Sequence, residues 1–380
     1  MIGAVVVGAG PAGSSLALRL ARAGVEVVVL ERSAFPRTKV CGDYLCAGAI
    51  LTLADLGVAD DILPHAAPVT SISLHGFGAH VRLVLPAAGA ALRRAILDER
   101  LLIHAQRAGA SVQRGVFVAA QDCGASVRVL YRDGTGNERE VVARALVGAD
   151  GAWSCVARRA GMASTTKPSG PWATGGELCE AGAGEELRVY IGSQGYYARN
   201  PLGGGVANSM LVAPHPVRRS DADSLVDGLT GGALRFETQT VRGMVAAGPL
   251  RYQADRVARG RTLLTGDAAE LLDPFTGQGV ATALALSAPA AAAVTALVRG
   301  RSSGETARMY TASWRSVVGP RRALTWVIST LIRTRFFRQR ALRGIENDPL
   351  AVQALVASVS GHRPAITGLS PRELVRLLAS

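Results

Sequence analysis

The first 32 residues carry the pattern that most constrains the fold: a strand, a glycine-rich turn, a helix and a second strand that ends in an acid. Both strands are apolar and rich in valine, which is typical of parallel strands buried on both faces. The turn reads GAGPAG. Gly8 permits its tight backbone, Gly10 lets the backbone approach a pyrophosphate, and Gly13 lets the helix pack against the strand. The free N–H groups at the start of the helix, beside Ala12, favour phosphate binding.

An acid at the end of the second strand completes this pattern. Glu31 follows Gly13 by 18 residues, and an acid about 20 residues beyond the glycines accepts hydrogen bonds from ribose hydroxyls. The adjacent Arg32 is a further candidate contact. A GxGxxG turn alone is a weak signal because glycine-rich turns are common, but here the strand, the helix and the acid all accompany it. The unit therefore predicts a dinucleotide site.

The composition narrows the class of partner. The chain has 380 residues, 48% of them hydrophobic, which is enough for one large domain or two smaller domains with cores. Its net charge of +13 is compatible with a nucleic-acid partner or an anionic membrane surface. However, nearly all cations are arginines scattered along an alanine-rich chain, a bias typical of GC-rich genomes. We therefore predict no nucleic-acid partner, while an acidic substrate or a carrier protein stays open.

The cysteines and the apolar segments indicate the compartment. The five cysteines form no CxxC pattern and no metal-ligand spacing, so they predict reduced thiols in a cytoplasmic protein without a metal site. The uncharged stretch 274–298 is interrupted by glycine and proline, and it predicts a buried helix rather than a membrane span. The basic segment 333–343, with Phe336 and Phe337, predicts a solvated helix face, with peripheral membrane contact as the alternative. The oligomeric state is not predicted.

A loop that follows the dinucleotide unit, at 33–46, is expected to run along the cofactor. Arg37 and Lys39 are candidate contacts for the anionic parts of the cofactor. Cys41, Gly42 and Asp43 are candidates for its reactive end. The alternatives are that Cys41 is a small packed hydrophobe and that Asp43 is a turn or cap residue.

Three motifs then occur in a fixed order: GAGPAG with LER at 30–32, GADGAWSCVAR at 148–158, and GDAAELLDPFTGQG at 266–279. In this order they resemble the single-component FAD-dependent oxidoreductase family with a p-hydroxybenzoate-hydroxylase-like fold. The segment FPRTKVCGD further resembles the geranylgeranyl-reductase-like branch, which also contains monooxygenases and halogenases. The resemblance extends from Met1 to about Leu297. It indicates the family and the cofactor, and not the reaction.

The resemblance implies an α/β fold. Its parts are a Rossmann-like FAD-binding domain, an inserted antiparallel-sheet substrate domain and a helical C-terminal tail. The FAD-binding domain is expected to comprise residues 1–68, 93–165 and 255–310. The substrate sheet takes residues 69–92 and 166–254, and the helical region takes residues 311–380.

The resemblance also assigns contacts to FAD. It places Gly8, Gly10 and Gly13 at the pyrophosphate and Glu31 at the adenosine ribose. It places Arg94 at the phosphate or ribityl region, Val118 near the adenine and Asp267 at the ribityl chain. Asp150 and Gly151 belong to a motif shared with NAD(P)H binding. The residues assigned to the pyrimidine edge of the isoalloxazine are Gly277, Gln278, Gly279 and Val280. A helix start suits that edge, because reduced flavin gathers negative charge there. From spacing alone, Arg94 and Asp98 are also compatible with an ordinary surface ion pair.

The substrate sheet departs from the branch pattern. Prenyl reductases carry Tyr-x-Trp-x-Phe-Pro, and the matching stretch 196–201 has Ala198 in place of the tryptophan and Asn200 in place of the phenylalanine. Together with Arg199, Asn200 suggests a more polar ligand than a lipid chain. The Trp-x-Trp-x-Ile-Pro motif and the catalytic lysine of flavin halogenases do not occur. The candidate substrate contacts are Trp172, Tyr196, Tyr197 and Asn200, with ordinary sheet packing as the alternative for the tyrosines.

Three functions are compatible with these observations. The first is an FAD monooxygenase, in which NAD(P)H reduces the flavin and dioxygen is used to hydroxylate or epoxidise an aromatic or polyketide-like molecule of secondary metabolism, such as antibiotic biosynthesis. The second is a flavin-dependent reductase or dehydrogenase of a carbon–carbon bond, with Cys41 near the flavin. The third is a non-catalytic FAD-binding or carrier-docking protein. Cys41, Tyr196 and Asn200 are the candidate catalytic residues.

Overall fold

The structure is a computed structural model that describes residues 1–163, 169–180, 182, 184–234, 244–334 and 349–361. Most of the basic segment 333–343, including Phe336 and Phe337, lies outside the described residues, so neither interpretation of it is tested. The described chain forms two large sheets and a set of helices.

The first sheet is built on the dinucleotide unit. Its strands are β1 (Ile2–Val7), β2 (Val27–Glu31), β6 (Ser111–Asp122), β7 (Val127–Asp133), β8 (Glu138–Gly148), β15 (Ala258–Arg259) and β16 (Thr262–Leu264). Strands β6, β2, β1, β8 and β16 run parallel in that order, while β7 pairs antiparallel with β6 and β8, and β15 with β16. The carboxyl ends of the parallel strands meet at one edge, which is where such sheets bind ligands.

Helices pack against both sheets. They are α1 (Pro11–Arg22), α2 (Ala47–Asp55), α3 (Ala59–Ile62), α4 (Arg94–Arg107), α5 (Cys155–Arg159), α6 (Arg219–Thr230), α7 (Gly279–Ala285), α8 (Ser287–Val298), α9 (Ser303–Arg333) and α10 (Pro349–Val359). Helix α1 packs between α4 and α8. Helix α9 is fixed to the sheet by buried Tyr310, whose hydroxyl donates to the carbonyl oxygen of Leu264 at 2.7 Å.

The second sheet has eight strands in the order β13–β9–β12–β11–β10–β4–β5–β3. They are β3 (Tyr44–Leu45), β4 (Ala67–Gly76), β5 (Ala79–Ala91), β9 (Trp172–Cys179), β10 (Glu186–Gly192), β11 (Gly195–Gly203), β12 (Val206–Ala213) and β13 (Val245–Ala247). All neighbours are antiparallel except β4 and β10, which are parallel. A separate pair joins β14 (Tyr252–Gln253) to β17 (Glu270–Leu271).

This architecture confirms the predicted fold class, with a Rossmann-like domain, an inserted and largely antiparallel sheet, and a helical C-terminal region. Strand β3 is a departure in detail, because residues 44–45 pair with the second sheet although the sequence placed them in the first domain.

The predicted helix over 280–297 is interrupted. It forms α7 and α8, with the break at Leu286, just before Pro289, whose missing N–H removes a hydrogen bond from the helix. Within the described residues, the stretch Gly279–Val298 is the one helical segment long and apolar enough to cross a membrane. Much of it is buried inside the protein, and core helices of this composition meet the same criterion.

Candidate active site

Two glycines of the GAGPAG turn bring three elements into direct contact. Gly8 has a φ of +102°, and a Cβ atom there would overlap the carbonyl oxygen of Ala149, just after β8. A Cβ atom on Gly13 would overlap the carbonyl oxygen of Gly8. Helix α1 begins at Pro11, and Gly10 provides no side-chain cap, so the first N–H groups of the helix remain available to an anion.

Glu31 is held against this turn. It is buried, and its Oε2 accepts a hydrogen bond from the N–H of Ala9 at 2.8 Å while Oε1 accepts from the N–H of Ser33 at 2.8 Å. The structure therefore brings the acid to the GAGPAG turn, as the spacing of the motif requires. Arg32, the next residue, is exposed.

Two guanidinium groups lie over Gly10. A Cβ atom on Gly10 would be 3.3 Å from Nη2 of Arg37 and 3.8 Å from Nη2 of Arg94. Both arginines bind Asp98, which is fully buried: Arg94 donates to its two oxygens at 2.7 and 2.8 Å, and Arg37 donates at 3.3 Å. The interpretation of Arg94 and Asp98 as a surface ion pair is therefore wrong.

The electrostatics of this cluster favour an anion. Burial by itself lowers the pKa of Arg94, but the Asp98 carboxylate outweighs burial and raises the pKa above its ordinary value. Arg94 is therefore protonated at every accessible pH. Arg37 also pairs with Glu31 at 3.6 Å. The two guanidinium groups lie over a glycine and beside a helix start, and together they form a cradle that suits a pyrophosphate.

The two distant aspartates reach the same region by different routes. Asp150 follows β8, and its Cα would lie 3.0 Å from a Cβ atom on Gly8. Its carboxylate accepts hydrogen bonds from the hydroxyl of Ser154 and the N–H of Cys155, each at 2.6 Å, and thereby caps α5. Gly151 beside it has a φ of +82°.

Asp267 lies on the other side of the turn. A Cβ atom on its neighbour Gly266 would be 2.8 Å from Cβ of Ala12, so this motif packs on the start of α1. Burial raises the pKa of Asp267, and the charges of Arg94 and Lys39 oppose that rise. All three motifs therefore meet at one place. Val118 lies in β6 at a bulge, where the pairing with β7 shifts.

The GQG turn connects the two domains and the C-terminal helix. Gly277 has a φ of +65° and lies against the ring of Tyr44. Gln278 is buried, and its Nε2 donates to the carbonyl oxygen of Val359 at 2.7 Å and to that of Ser358 at 3.4 Å. The Nε2 atom of Gln278 therefore anchors α10, while its Oε1 atom is buried without a partner in the described chain. Gly279 and Val280 form the start of α7.

The loop around Cys41 is tied to the substrate sheet. Nδ2 of Asn200 donates to the carbonyl oxygens of Gly42 and Asp43, each at 3.0 Å, and Nδ2 of Asn208 donates to the carbonyl oxygen of Cys41 at 3.1 Å and to Oδ2 of Asp43 at 2.7 Å. Burial raises the pKa of the Cys41 thiol, so this side chain is a thiol rather than a thiolate near neutral pH.

Asp43 adopts a backbone conformation that usually requires glycine, with a φ of +53°. Its Oδ1 accepts a hydrogen bond from the N–H of Arg94 at 3.1 Å, so it caps α4 from a distant part of the chain. Burial raises the pKa of Asp43 to about 6. The expectation that Asp43 is a turn or cap residue matches this geometry.

The predicted substrate contacts divide between the two faces of the second sheet. Tyr196 and Asn200 face the first domain, because the Tyr196 ring meets Phe275 edge-on at 5.0 Å and Asn200 binds the Cys41 loop. Tyr197 is fully buried on the opposite face, against Ala222 and Val226 of α6. The expectation that Tyr197 lines the substrate surface is corrected, since successive residues of a strand point to opposite faces.

The same alternation removes two further residues from this surface. Arg199 is buried on the α6 face and pairs with Glu180 at 2.9 Å, so it gives no evidence for a polar ligand. Trp172 precedes Ala173, which shares the face of Tyr196, so Trp172 lies on the opposite face. Its ring packs against Gly248. The structure therefore brings together Tyr196, Asn200 and Cys41, and it separates Tyr197 and Trp172 from them.

Three residues of this arrangement were missed by motif analysis. Asn208 and Glu177 belong to no motif and reach the site only through strand register, since Asn208 lies opposite Asn200 and Glu177 lies opposite Asn208. Phe275 lies inside a motif, but nothing in the motif indicates that it contacts Tyr196. The pairing of the strands would have identified Asn208 and Glu177, because residues directly opposite each other in a sheet share a face.

Known proteins resemble this chain in sequence. The model of the family described as FAD binding domain matches residues 1–222. A menaquinone reductase from Mycobacterium tuberculosis is 32% identical over 308 residues, which cover 73% of this chain and 72% of that protein. A rifampicin monooxygenase from Streptomyces venezuelae is 28% identical over 297 residues, covering 74% of this chain and 61% of the relative.

Solved structures share the fold at low identity. A flavoprotein/dehydrogenase from Cytophaga hutchinsonii superposes with a TM-score of 0.83 at 16% identity, covering 95% of this chain and 93% of that chain. An anhydrotetracycline hydroxylase from Streptomyces rimosus superposes with a TM-score of 0.75 at 22% identity, covering 94% and 75%. These likenesses support the fold.

Proposed function

The chain belongs to this FAD-binding-domain family and is an FAD-dependent oxidoreductase, and from that premise we propose that it is a monooxygenase acting on a neutral, ring-shaped substrate such as an aromatic or polyketide-like molecule. The observation that carries the proposal is the sheet face beside the GQG turn and the Cys41 loop. That face is apolar, with a mixture of small and branched side chains, apart from one tyrosine and one polar row.

The residues of that face can be read from the register. Strands β9 to β12, which are described in full, present Ala173, Gly175, Val189, Ile191, Tyr196, Ala198, Met210 and Val212 toward the first domain. The polar row consists of Asn200, Asn208 and Glu177, and Glu177 is ion-paired with Arg93. A face without a free charge favours a neutral ligand, and its apolar side chains suit an aromatic ring. This replaces the more polar ligand inferred from Arg199 and Asn200.

The cradle fits a flavin dinucleotide on this chain's own geometry. The two glycine contacts, the cations over Gly10 and the helix start suit the pyrophosphate, and Glu31 beside the turn suits a ribose. The residues proposed to hold FAD are Gly8, Gly10, Ala12, Gly13, Glu31, Arg32, Arg37, Cys41, Gly42, Arg94, Val118, Asp150, Gly151, Asp267, Gly277, Gln278, Gly279 and Val280. When bound, the flavin supplies electron transfer from NAD(P)H and the activation of dioxygen.

The protein's own part is binding, orientation and exclusion of water. Tyr196 and the apolar residues beside it would hold the substrate ring against the Cys41 loop. Asn200 and Asn208 fix that loop, and the neutral thiol of Cys41 adds no charge to the site. We therefore assign Tyr196 to substrate contact and Asn200 to loop placement, and we assign no nucleophile.

A carbon–carbon reductase is the second candidate. Two observations favour it: the similarity to a menaquinone reductase at 32% identity, and the placement of Cys41 in the loop that the substrate sheet holds against the cofactor cradle. In this alternative NAD(P)H is also the electron donor, and dioxygen is not consumed.

One experiment separates these functions. The FAD-loaded protein is mixed with NADPH or NADH under air and under argon, with a panel of neutral polycyclic aromatic and quinone compounds. We expect a product heavier by one oxygen atom, formed only under air. Turnover that persists under argon would establish the reductase instead. Flavin that neither nucleotide bleaches, even with a separate flavin reductase added, would indicate a non-catalytic protein.

A further inference from the structure

Three polar side chains form a row across β9, β12 and β11 on an otherwise apolar face. The register places Asn200 opposite Asn208, and Asn208 opposite Glu177. Each member reaches the first domain. Asn200 and Asn208 bind the loop 41–43, and Glu177 accepts hydrogen bonds from Arg93, the residue before α4, at 3.0 and 3.2 Å.

The orientation of both amides in the row is fixed. Every partner of Asn200 and Asn208 is a carbonyl or carboxylate oxygen, so each Nδ2 must point toward the loop. Their Oδ1 atoms are buried and have no hydrogen-bond partner within the described chain. Leaving a buried oxygen unpaired is unfavourable. An apolar residue, like those on the rest of the face, would avoid this penalty, so packing alone does not explain two asparagines here.

Asp43 is the point where these contacts converge. Its carboxylate accepts from Asn208 and from the N–H of Arg94, and its carbonyl oxygen accepts from Asn200 and from the N–H of Leu92 at 2.8 Å. Cys41 lies just before it in the chain, and Arg94 lies over Gly10. A shift of the row would therefore move both Cys41 and Arg94.

We propose that Asn200, Asn208 and Glu177 are positioning residues that place the Cys41–Asp43 loop and the start of α4 relative to the cofactor. The row couples the substrate sheet to the cofactor cradle, because its side chains belong to the sheet, while its partner Asp43 binds the N–H of Arg94 and its partner Arg93 precedes Arg94 in the chain. The inference rests on the proposed function only for the identity of the group beside the loop.

The first test needs neither flavin nor substrate. The variants Asn200→Leu and Asn208→Leu remove the donors at similar size, and Thr174→Val is the matched control, since Thr174 is buried on the other face of β9 with its hydroxyl unpaired in the described chain. Alkylation of each cysteine in the flavin-free protein is followed by peptide mass spectrometry. We expect Cys41 to react about tenfold faster in both leucine variants, with Cys46 and Cys123 unchanged as buried and exposed references.

The second test reads the bound flavin. In the FAD-loaded protein we expect the leucine variants to change the visible spectrum and to weaken FAD binding about tenfold, while T174V matches the unmodified protein. Asn208→Asp puts a second carboxylate beside Asp43, and we expect it to move the pH midpoint of any spectral change upward. This variant also supplies both measurements if a leucine variant does not fold.

The outcomes are distinct from those of the proposed function. Folded variants whose Cys41 reacts within twofold of T174V, and whose flavin spectrum and pH profile are unchanged, would overturn the row as a positioning device. A protein that binds no FAD at all would overturn the proposed function, while the alkylation result would still decide the fate of the row.

Discussion

The β1–α1–β2 unit and strand β11 differ in whether residues close in sequence make contacts at the same place. In the first, neighbours in sequence act together: Gly8 contacts Gly13, and Glu31 binds Ala9. In the second, neighbours are separated: Tyr196 meets Phe275, while Tyr197 is buried against α6. A turn followed by a helix collects consecutive residues at one point, whereas an extended strand sends them to two faces.

The largest effect is expected in the β1–α1–β2 unit. Gly13→Val would force a side chain into the carbonyl oxygen of Gly8, so we expect the Kd for FAD to rise by at least about 1,000-fold, which is about 4.1 kcal/mol. Flavin absorbance after gel filtration measures it. The control is Gly228→Ala, since Gly228 lies in α6 with open space around it. That change should stabilise the protein by about 0.5–1 kcal/mol. Normal FAD retention by G13V would show that the turn does not form the cradle.

The second effect concerns two ion pairs with the same spacing. Asp98→Asn removes the buried partner of Arg94 and Arg37, and we expect the free energy of unfolding to fall by about 4 kcal/mol, because a buried charge is left unpaired. Glu305→Gln breaks the pair Arg301–Glu305, which is about half exposed. It should cost only a few tenths of a kcal/mol. Urea unfolding compares them, and equal losses would contradict the buried cluster.

The third effect concerns the two faces of β11. Tyr197→Ala empties a buried site and should lower the free energy of unfolding by about 3 kcal/mol. Tyr196→Ala should change stability by less than about 1 kcal/mol, because the side chain is only half-buried. It should instead raise KM for the substrate. A stability loss of equal size in both variants would place the two rings in similar environments.

The smallest effect is a pH dependence of stability at Asp43, which binds both the substrate sheet and the start of α4. Burial raises the pKa of Asp43 to about 6, so between pH 4 and pH 6 the folded protein keeps a proton that the unfolded chain has lost. Stability from this group is therefore present at low pH and lost as the pH rises through 6. Relative to Asp43→Asn, the protein should lose about 2 kcal/mol across that window. Urea unfolding at both pH values tests this, and a constant difference would contradict it.

The sequence was sufficient for the fold and the class of cofactor because that information is local. Spacing places Glu31 beside its turn, and three ordered motifs identify the family. Burial was harder to predict: the i,i+4 spacing of Arg94 and Asp98 fits a surface helix equally well, and only tertiary packing over Gly10 distinguishes the two.

The substrate face could not be predicted in the same way. Its membership depends on register between β9, β12 and β11, so Asn208 joins Asn200 from a separate strand and Arg199 leaves the site although it is adjacent to Asn200 in sequence. The alternation of side chains along a strand would by itself have placed Tyr196 and Tyr197 on opposite faces. It could not have shown which of the two faces α6 covers.

The hydrogen bonds from Gln278 to α10 have a consequence for how this polypeptide is made. The carbonyl oxygen of Val359 lies 81 residues downstream of the amide that binds it. A nascent chain therefore displays every recognisable motif well before the GQG turn acquires its anchor. A premature stop between those positions would yield a product that passes any motif search and yet lacks a finished pocket.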